Sequence, residues 1–234
     1  MANASDGLQG PVDSLISKDH SRKYWEGVDA TVNGMLGGIP HVTRVDLRGS
    51  RNFLAKLGIG TKPGQRVVES ALEGGAGIGR VTEGLLLDGI AEEVDVIEPI
   101  VKFTAGLQGK PGVRSIFNMG LEEWQPEGGV LYDLIWIQWC VGHLTDEQLV
   151  SFLKTCTTAL NPDGGWIVVK ENNSTASKDE FDHVDSSVTR VDHSLRRIFE
   201  EAGLRLLQVQ LQRGLNVSGV SLLPVRMYAL KPAQ

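Results

Sequence analysis

The segment Val67-Val68-Glu69-Ser70-Ala71-Leu72-Glu73-Gly74-Gly75-Ala76-Gly77-Ile78-Gly79-Arg80 constrains the fold more than any other part of the chain. An apolar run ends in an acid, passes into a cluster of glycines and reaches what reads as a helix start. A chain leaves a parallel strand in this way when it turns beneath a nucleotide-like ligand. Glycine adopts positive φ and carries no Cβ, so the backbone can approach that ligand closely. The helix that follows turns its free N–H groups towards it.

The spacing narrows the choice of ligand. A dinucleotide fingerprint needs Gly-x-Gly-x-x-Gly; counting from Gly75 puts Arg80 at the third glycine, and counting from Gly77 puts Thr82 there. No Gly-Lys-Ser/Thr follows, which excludes a Walker loop. The pattern present, Gly75-x-Gly77-x-Gly79 after Glu73, resembles motif I of the S-adenosylmethionine-dependent methyltransferases, whose cofactor needs no pyrophosphate turn. On its own it also fits an ordinary tight strand-to-helix turn. The second half of the pattern lies downstream. Glu93-Val94-Asp95-Val96-Ile97-Glu98 reads as a short strand ending in a carboxylate, and Glu98 follows Gly79 by 19 residues. In nucleotide-binding α/β folds an acid at about this distance accepts the ribose hydroxyls; the alternative is a solvated strand-end carboxylate.

At 234 residues with 41% apolar content, the chain fits one α/β domain with room for an extension. Its 28 glycines suit a fold with many tight turns. The net charge of −6 argues against a nucleic-acid backbone as partner and is compatible with a basic peptide or a small cation. Cys140 and Cys156 are too few for a disulfide scaffold, which points to a reducing compartment. No metal-ligand spacing is recognisable. No apolar run is long enough to span a bilayer, and the first residues carry no basic-then-apolar signal. The expected location is the cytoplasm, with the nucleus as a second compartment.

Residues 1–20 are small and polar and read as a frayed tail. Residues 21–60 show no strand alternation; Arg51–Leu57 reads as a short amphipathic helix, and the segment is expected to be a helical extension that covers the edge of the sheet as a lid. From 61 to 234 strands and helices alternate. Strands are expected at 67–73, 93–98, 113–117, 132–138 and 165–170, with helices near 79–88, 99–107 and 145–160. This implies a parallel sheet with right-handed crossovers. A helix near 193–202 then precedes strands near 204–212 and 225–231, which read as an antiparallel pair at one edge. Ligands in such sheets sit outside the C-terminal strand ends, which directs attention to Glu73, Glu98, Gln138 and the stretch after Lys170.

The most unusual run is Tyr132-Asp133-Leu134-Ile135-Trp136-Ile137-Gln138-Trp139-Cys140-Val141-Gly142-His143-Leu144-Thr145-Asp146. Strand alternation puts Leu134, Trp136 and Gln138 on one face and Ile135, Ile137 and Trp139 on the other. Gln138 and Trp139 lie at the strand end, and Trp139 offers an aromatic face to a rigid ring or a cation. His143 sits in the loop before Thr145, an N-cap with Gln148 three residues on; a loop histidine bonded to nearby backbone is the alternative reading. Asp182 and Asp185 would share a face on a helical turn and form an anionic pocket, or else lie in a solvated acidic loop.

Taken together, Tyr24-Trp25, Gly34-Met35-Leu36-Gly37-Gly38, Gly75–Arg80, Ile135–Trp139 with Gly142–Asp146, and Asp185-Ser186-Ser187-Val188 resemble the alpha-N-terminal protein methyltransferases over about Tyr24 to Leu230. These enzymes methylate the α-amino group of proteins that begin X-Pro-Lys after removal of Met. The resemblance implies a Rossmann-like, seven-stranded class I methyltransferase sheet with an antiparallel edge pair and an N-terminal helical lid. It implies S-adenosylmethionine as donor, S-adenosylhomocysteine as product, and the N-terminal peptides of basic proteins as partners. By position, Gly75 and Arg80 hold the methionine end of the cofactor, Arg80 through its carboxylate, Gly77 binds the cofactor from the same turn, and Glu98 takes the ribose. Leu121 and Glu122 flank the adenine, Gln138 lines the pocket, and Trp25 and Leu36 come from the lid. Trp139 packs on the substrate proline and Asn172 binds the peptide near its amine. Asp182, Asp185 and Ser187 receive the lysine, and His143 and Asp185 handle the proton.

Two positions depart from the pattern. The usual Asp-Cys-Gly at the first strand end is Glu73-Gly74-Gly75, and Arg226, read as lying in the turn before Tyr228, stands where the family often has a peptide-facing tyrosine. Residues 212–225 align poorly. A small-molecule amine methyltransferase and a non-catalytic cofactor-binding adaptor remain alternative readings.

Overall fold

The computed structural model describes residues 10–215 and 222–233. Five strands run parallel: β1 (Val68–Gly74), β2 (Ala91–Ile97), β3 (Val113–Phe117), β4 (Leu134–Gln138) and β5 (Trp166–Asn172). A short hairpin, β6 (Glu180–Asp182) and β7 (Ser187–Thr189), stands apart from the sheet. The last strands, β8 (Leu204–Leu211) and β9 (Val225–Pro232), are antiparallel, and the sheet order is β3-β2-β1-β4-β5-β9-β8. The seven expected strands are therefore all present. The order reverses between β1 and β4, the switch point where the loops diverge and leave a crevice.

The helices are α1 (Lys18–Gly27), α2 (Val32–Met35), α3 (Thr43–Lys56), α4 (Val101–Thr104), α5 (Asp146–Thr158) and α6 (Asp192–Glu201). All five residues of β4 are buried, because both faces of the sheet are covered. Ile135 and Ile137 pack towards Leu149, Phe152 and Leu153 of α5 and Leu195 and Ile198 of α6. Leu134 and Trp136 pack towards Phe53 and Leu54 of α3 with Leu85 and Leu86. The expected N-cap of α5 is present: Gln148 donates its N–H to Thr145 Oγ1 at 3.2 Å and returns Oε1 to the Thr145 N–H at 3.0 Å.

Several local expectations are corrected. The helix expected over 79–88 is a single π turn at Thr82–Leu86, and that expected over 99–107 is α4 continued by one 3₁₀ turn. Gly84 and Gly106 interrupt the two segments, and Gly89 and Gly109 follow them closely; glycine is a poor helix former. A Cβ at Gly84 would meet Leu47 Cδ1 of α3 at 2.6 Å, so close packing of α3 needs the glycine there. The helix expected over 51–57 is the end of α3, which begins at Thr43. Of the tail expected over 1–20, residues 1–9 lie outside the described residues. Residues 10–20 are ordered by specific bonds: Asp146 donates its N–H to Asp13 Oδ2 at 2.8 Å, Ser17 donates its N–H to Ser186 Oγ at 2.8 Å, and α1 already begins at Lys18. Arg226 lies in β9, paired with Glu171, and not in a turn. Asp182 and Asp185 do not share a helical turn; Asp182 ends β6 and Asp185 lies in the turn of the β6–β7 hairpin.

Candidate active site

The glycine turn leaves β1 as its sequence requires. Gly75, Gly77 and Gly79 all have positive φ (72°, 55° and 83°). A Cβ at Gly75 would stand 2.5 Å from Cys140 Cβ, and one at Gly79 would stand 2.4 Å from Leu107 Cδ2. The turn thus fits only without side chains, and it forms the floor of a cavity of about 230 Å³ at the switch point. Glu98, at the end of β2, closes the turn by accepting the Gly77 N–H at 2.8 Å through Oε2 and the Ile100 N–H at 2.9 Å through Oε1. Burial raises the Glu98 pKa, offset in part by these two N–H groups. Each oxygen retains a lone pair for a hydroxyl donor, as a ribose requires. Glu73 below the turn is buried; Thr82 Oγ1 donates to it at 2.6 Å, and burial pushes its pKa up to about 8.

Beside this floor lies a charge cluster that the sequence did not reveal. Asp46, wholly buried on α3, is paired with Arg80 Nη1 at 2.7 Å and with Lys170 Nζ at 2.5 Å. Gln138 Nε2 donates to both its oxygens at 3.1 Å, and Trp136 Nε1 donates to Gln138 Oε1 at 3.0 Å. Lys170 also donates to Ser50 Oγ at 2.8 Å and Gln212 Oε1 at 3.1 Å. Burial alone would raise the Asp46 pKa, but Lys170 and Arg80 outweigh it and hold the carboxyl below its ordinary value. Burial lowers Lys170, opposed by Asp46 and reinforced by Arg80. Two cations share one carboxylate, so the cluster carries a surplus positive charge where Arg80 borders the cavity. A buried surplus charge is costly unless it is paired, and a carboxylate is the complementary ligand. A guanidinium also suits that ligand, because its planar fork matches carboxylate geometry.

The strand end departs from simple alternation. Trp139 has φ +54°, so its ring leaves the face expected for it and lies against Arg80 (5.4 Å) and Lys170 (6.0 Å). Its indole nitrogen finds no partner among the described residues. The following loop is fastened by Arg190, which is buried and donates to Asp146 Oδ1 at 2.8 Å and to the carbonyls of Val141 at 3.0 Å and Leu144 at 2.6 Å. His143 is thereby fixed at the mouth. Burial lowers its pKa, opposed by Asp185 and by the backbone of Ser186.

All nine expected cofactor residues line the first cavity: Trp25, Leu36, Gly75, Gly77, Arg80, Glu98, Leu121, Glu122 and Gln138. Leu121 is buried, and Glu122 is paired with Lys18 of α1 at 2.6 Å. A second cavity of about 410 Å³ adjoins it, lined by Asn172, Asp185, Ser187 and the buried Glu171. Trp25, Met35, Leu36, Trp139 and His143 line both. Asp182 lies outside both cavities; it is exposed and accepts the Val184 N–H at 2.7 Å. Asp185 accepts from Ser187 Oγ at 2.7 Å. Arg226 also lies outside them, donating to Asn173 Oδ1 at 2.8 Å. Sequence reasoning missed Asp46, Ser50, Arg190 and Glu171. The first two stand at i and i+4 with the buried Phe53 and Leu54 at i+7 and i+8, a helical stripe disguised by its polar members.

The chain is 45% identical over 213 residues to alpha N-terminal protein methyltransferase 1 of Schizosaccharomyces pombe, covering 89% of this chain and 93% of that one. It is 42% identical over 197 residues to N-terminal Xaa-Pro-Lys N-methyltransferase 1 of Xenopus tropicalis, covering 82% and 86%. Its fold matches that of an S-adenosylmethionine-dependent methyltransferase from Leishmania major with a TM-score of 0.79 and 36% identity, over 96% of this chain and 87% of that one. The family model for AdoMet-dependent proline di-methyltransferases matches residues 13–231, and the chain belongs to that family of S-adenosylmethionine-dependent enzymes.

Proposed function

We propose that this protein transfers methyl groups from S-adenosylmethionine to the α-amino group of proteins whose N-terminus reads Xaa-Pro-Lys, basic tails such as those of ribosomal proteins among them. The observation that carries this reading is the junction of the two cavities at Trp139 and His143. One cavity has the glycine floor, the ribose acid and the surplus positive charge that the donor needs; the other is an open groove bearing a carboxylate. The names of the two sequence relatives support the choice of substrate.

Bound donor supplies an activated sulfonium methyl. Arg80, held in place by Asp46, takes the carboxylate of its methionine end, Glu98 takes the ribose, and Leu121, Glu122 and Gln138 border the rest, with Trp25 and Leu36 closing from above. In the groove, Trp139 stacks on the second-position proline and Asn172 holds the first residue. Asp185 and Ser187 face the lysine, with Asp182 at the outer rim as a longer-range attraction. An α-amine has an ordinary pKa of about 7.7–8.0, so the site must retain its neutral form. Burial outweighs Asp185 and lowers the His143 pKa, which favours the neutral ring; that form can accept the ammonium proton, and Asp185 stabilises the imidazolium that results. Positioning of amine and donor contributes the larger share, since the leaving group is already charged.

A small-molecule amine methyltransferase would need no groove beyond His143. Incubation with S-adenosylmethionine and peptides beginning Ala-Pro-Lys, Ala-Gly-Lys and Ala-Pro-Gln, followed by mass measurement, tests the reading. Methyl gain is expected on the first and sharply less on the others; equal gain on all three, or none on the first, overturns it.

A further inference from the structure

We infer that helix α1 locks the proton-accepting nitrogen of His143, with Trp25 capping it and so fixing the tautomer, and Ser21 taking up the ring hydrogen that this leaves on Nδ1. The inference rests on the proposed function only in giving His143 the proton.

The geometry is specific. Trp25 Nε1 points at His143 Nε2 at 3.1 Å, with the rings edge to face at 6.1 Å between centroids. Ser21 Oγ, buried on the same helix one turn earlier, lies 2.9 Å from His143 Nδ1. An indole N–H only donates. Nε2 must therefore present its lone pair, and the ring hydrogen of a neutral His143 must sit on Nδ1, where Ser21 Oγ accepts it. A protonated ring would turn an Nε2–H towards the indole N–H, donor against donor. Hydrogen bonding to the neutral form lowers the proton affinity of a group, so α1 keeps His143 uncharged and its single free lone pair covered. The ammonium proton of a substrate can reach Nε2 only when the indole gives way.

The other ionisable groups on this side do not impose the tautomer. Asp185, from the β6–β7 turn, favours the charged ring, as does the backbone of Ser186. Glu171 at the end of β5 is buried and Cys140, in the same loop as His143, is half-buried, and burial raises the pKa of both. Lys18 and Arg22 of α1 are paired with Glu122 and Glu123. Trp25 and Ser21 thus act as positioning residues, and the helix that carries them is fastened independently: Lys102 Nζ donates to the carbonyls of Glu26 at 2.5 Å and Val28 at 2.6 Å.

The test is a titration of the His143 imidazole by ¹⁵N-edited NMR on the full chain without donor or peptide, so its outcome is independent of which substrate is methylated. The parent is expected to show the Nδ1–H form at neutral pH. Trp25→Phe keeps the aromatic ring and loses the donor, and should raise the His143 midpoint by about half a unit to one unit. It should also leave the neutral ring a mixture of both tautomers, since Ser21 Oγ can donate or accept, whereas Ser21→Ala, which keeps the indole, should leave the ring in the Nδ1–H form. An Nε2–H form in the parent overturns the inference, as does a midpoint unchanged in Trp25→Phe. A Ser21→Ala ring that turns to the Nε2–H form, with the indole still in place, also overturns it.

Discussion

The two halves of the site are built on opposite electrostatic plans. In the donor half the charges are buried and mutually bonded within the free protein: Asp46 with Arg80, Lys170 and Gln138, and Glu98 with two backbone N–H groups. In the peptide half, among the described residues, Asp182 and Asp185 bond to neighbours within their own turn, Val184 and Ser187. They sit on a hairpin with three residues in each strand. On the proposed function, the difference follows from what each half would bind. A donor of fixed shape is met by a rigid, pre-paid arrangement in low dielectric. A flexible lysine at the mouth of the groove would be met by more exposed carboxylates, whose attraction is weaker and adds to encounter more than to stability.

The contrast can be broken first at Asp46. Asp46→Asn leaves two buried cations without their carboxylate and should cost about 3–5 kcal/mol of stability, whereas Asp182→Asn should change it by less than about 0.5 kcal/mol. Denaturant unfolding of both variants checks this, and equal losses would dissolve the distinction. Asp185→Asn should next lower turnover of an Xaa-Pro-Lys peptide by at least about 10²-fold while calorimetry finds cofactor affinity unaltered; a parallel loss of cofactor binding would mean that the halves are not separable. Replacing the peptide's lysine by glutamine removes one charge from the solvated half. It should raise KM by about tenfold or less, with the larger value at low salt; an unchanged KM would leave the hairpin acids without a role.

A separate test, read along pH, concerns Glu73. Its pKa, ordinarily 4.5, is pushed up to about 8 by burial. A carboxyl whose folded pKa is raised gives its full contribution below the unfolded value and loses it as pH rises through the folded value. Parent stability should therefore decline between about pH 5 and pH 8 relative to Glu73→Gln, which cannot ionise. Thermal midpoints of the two proteins across that range check the sign, and a constant gap would contradict it.

The two halves also differ in how far the sequence exposed them. The glycine turn and Glu98 were legible because they need particular residue types at fixed spacing after a strand. The strands were legible because β1, β4 and β5 are apolar runs with both faces covered. Asp46 was not, because a buried acid in a helix looks like a solvent-facing one until its partners, 34 and 124 residues away, are folded around it. The hairpin was hidden by its brevity: three-residue strands show no period, and Asp182 and Asp185 suit a helical face as well as a turn. Strand alternation misplaces Trp139, because a left-handed residue at a strand end breaks the period on which the count relies.

Fragment mass spectrometry of an Ala-Pro-Lys peptide after incubation with enzyme and S-adenosylmethionine tests most directly whether donor cavity and acidic groove form one active site. The predicted result is methylation confined to the α-nitrogen, abolished when that nitrogen is acetylated. Methyl groups on the lysine Nζ, or an acetylated peptide methylated as readily as the free one, would contradict it.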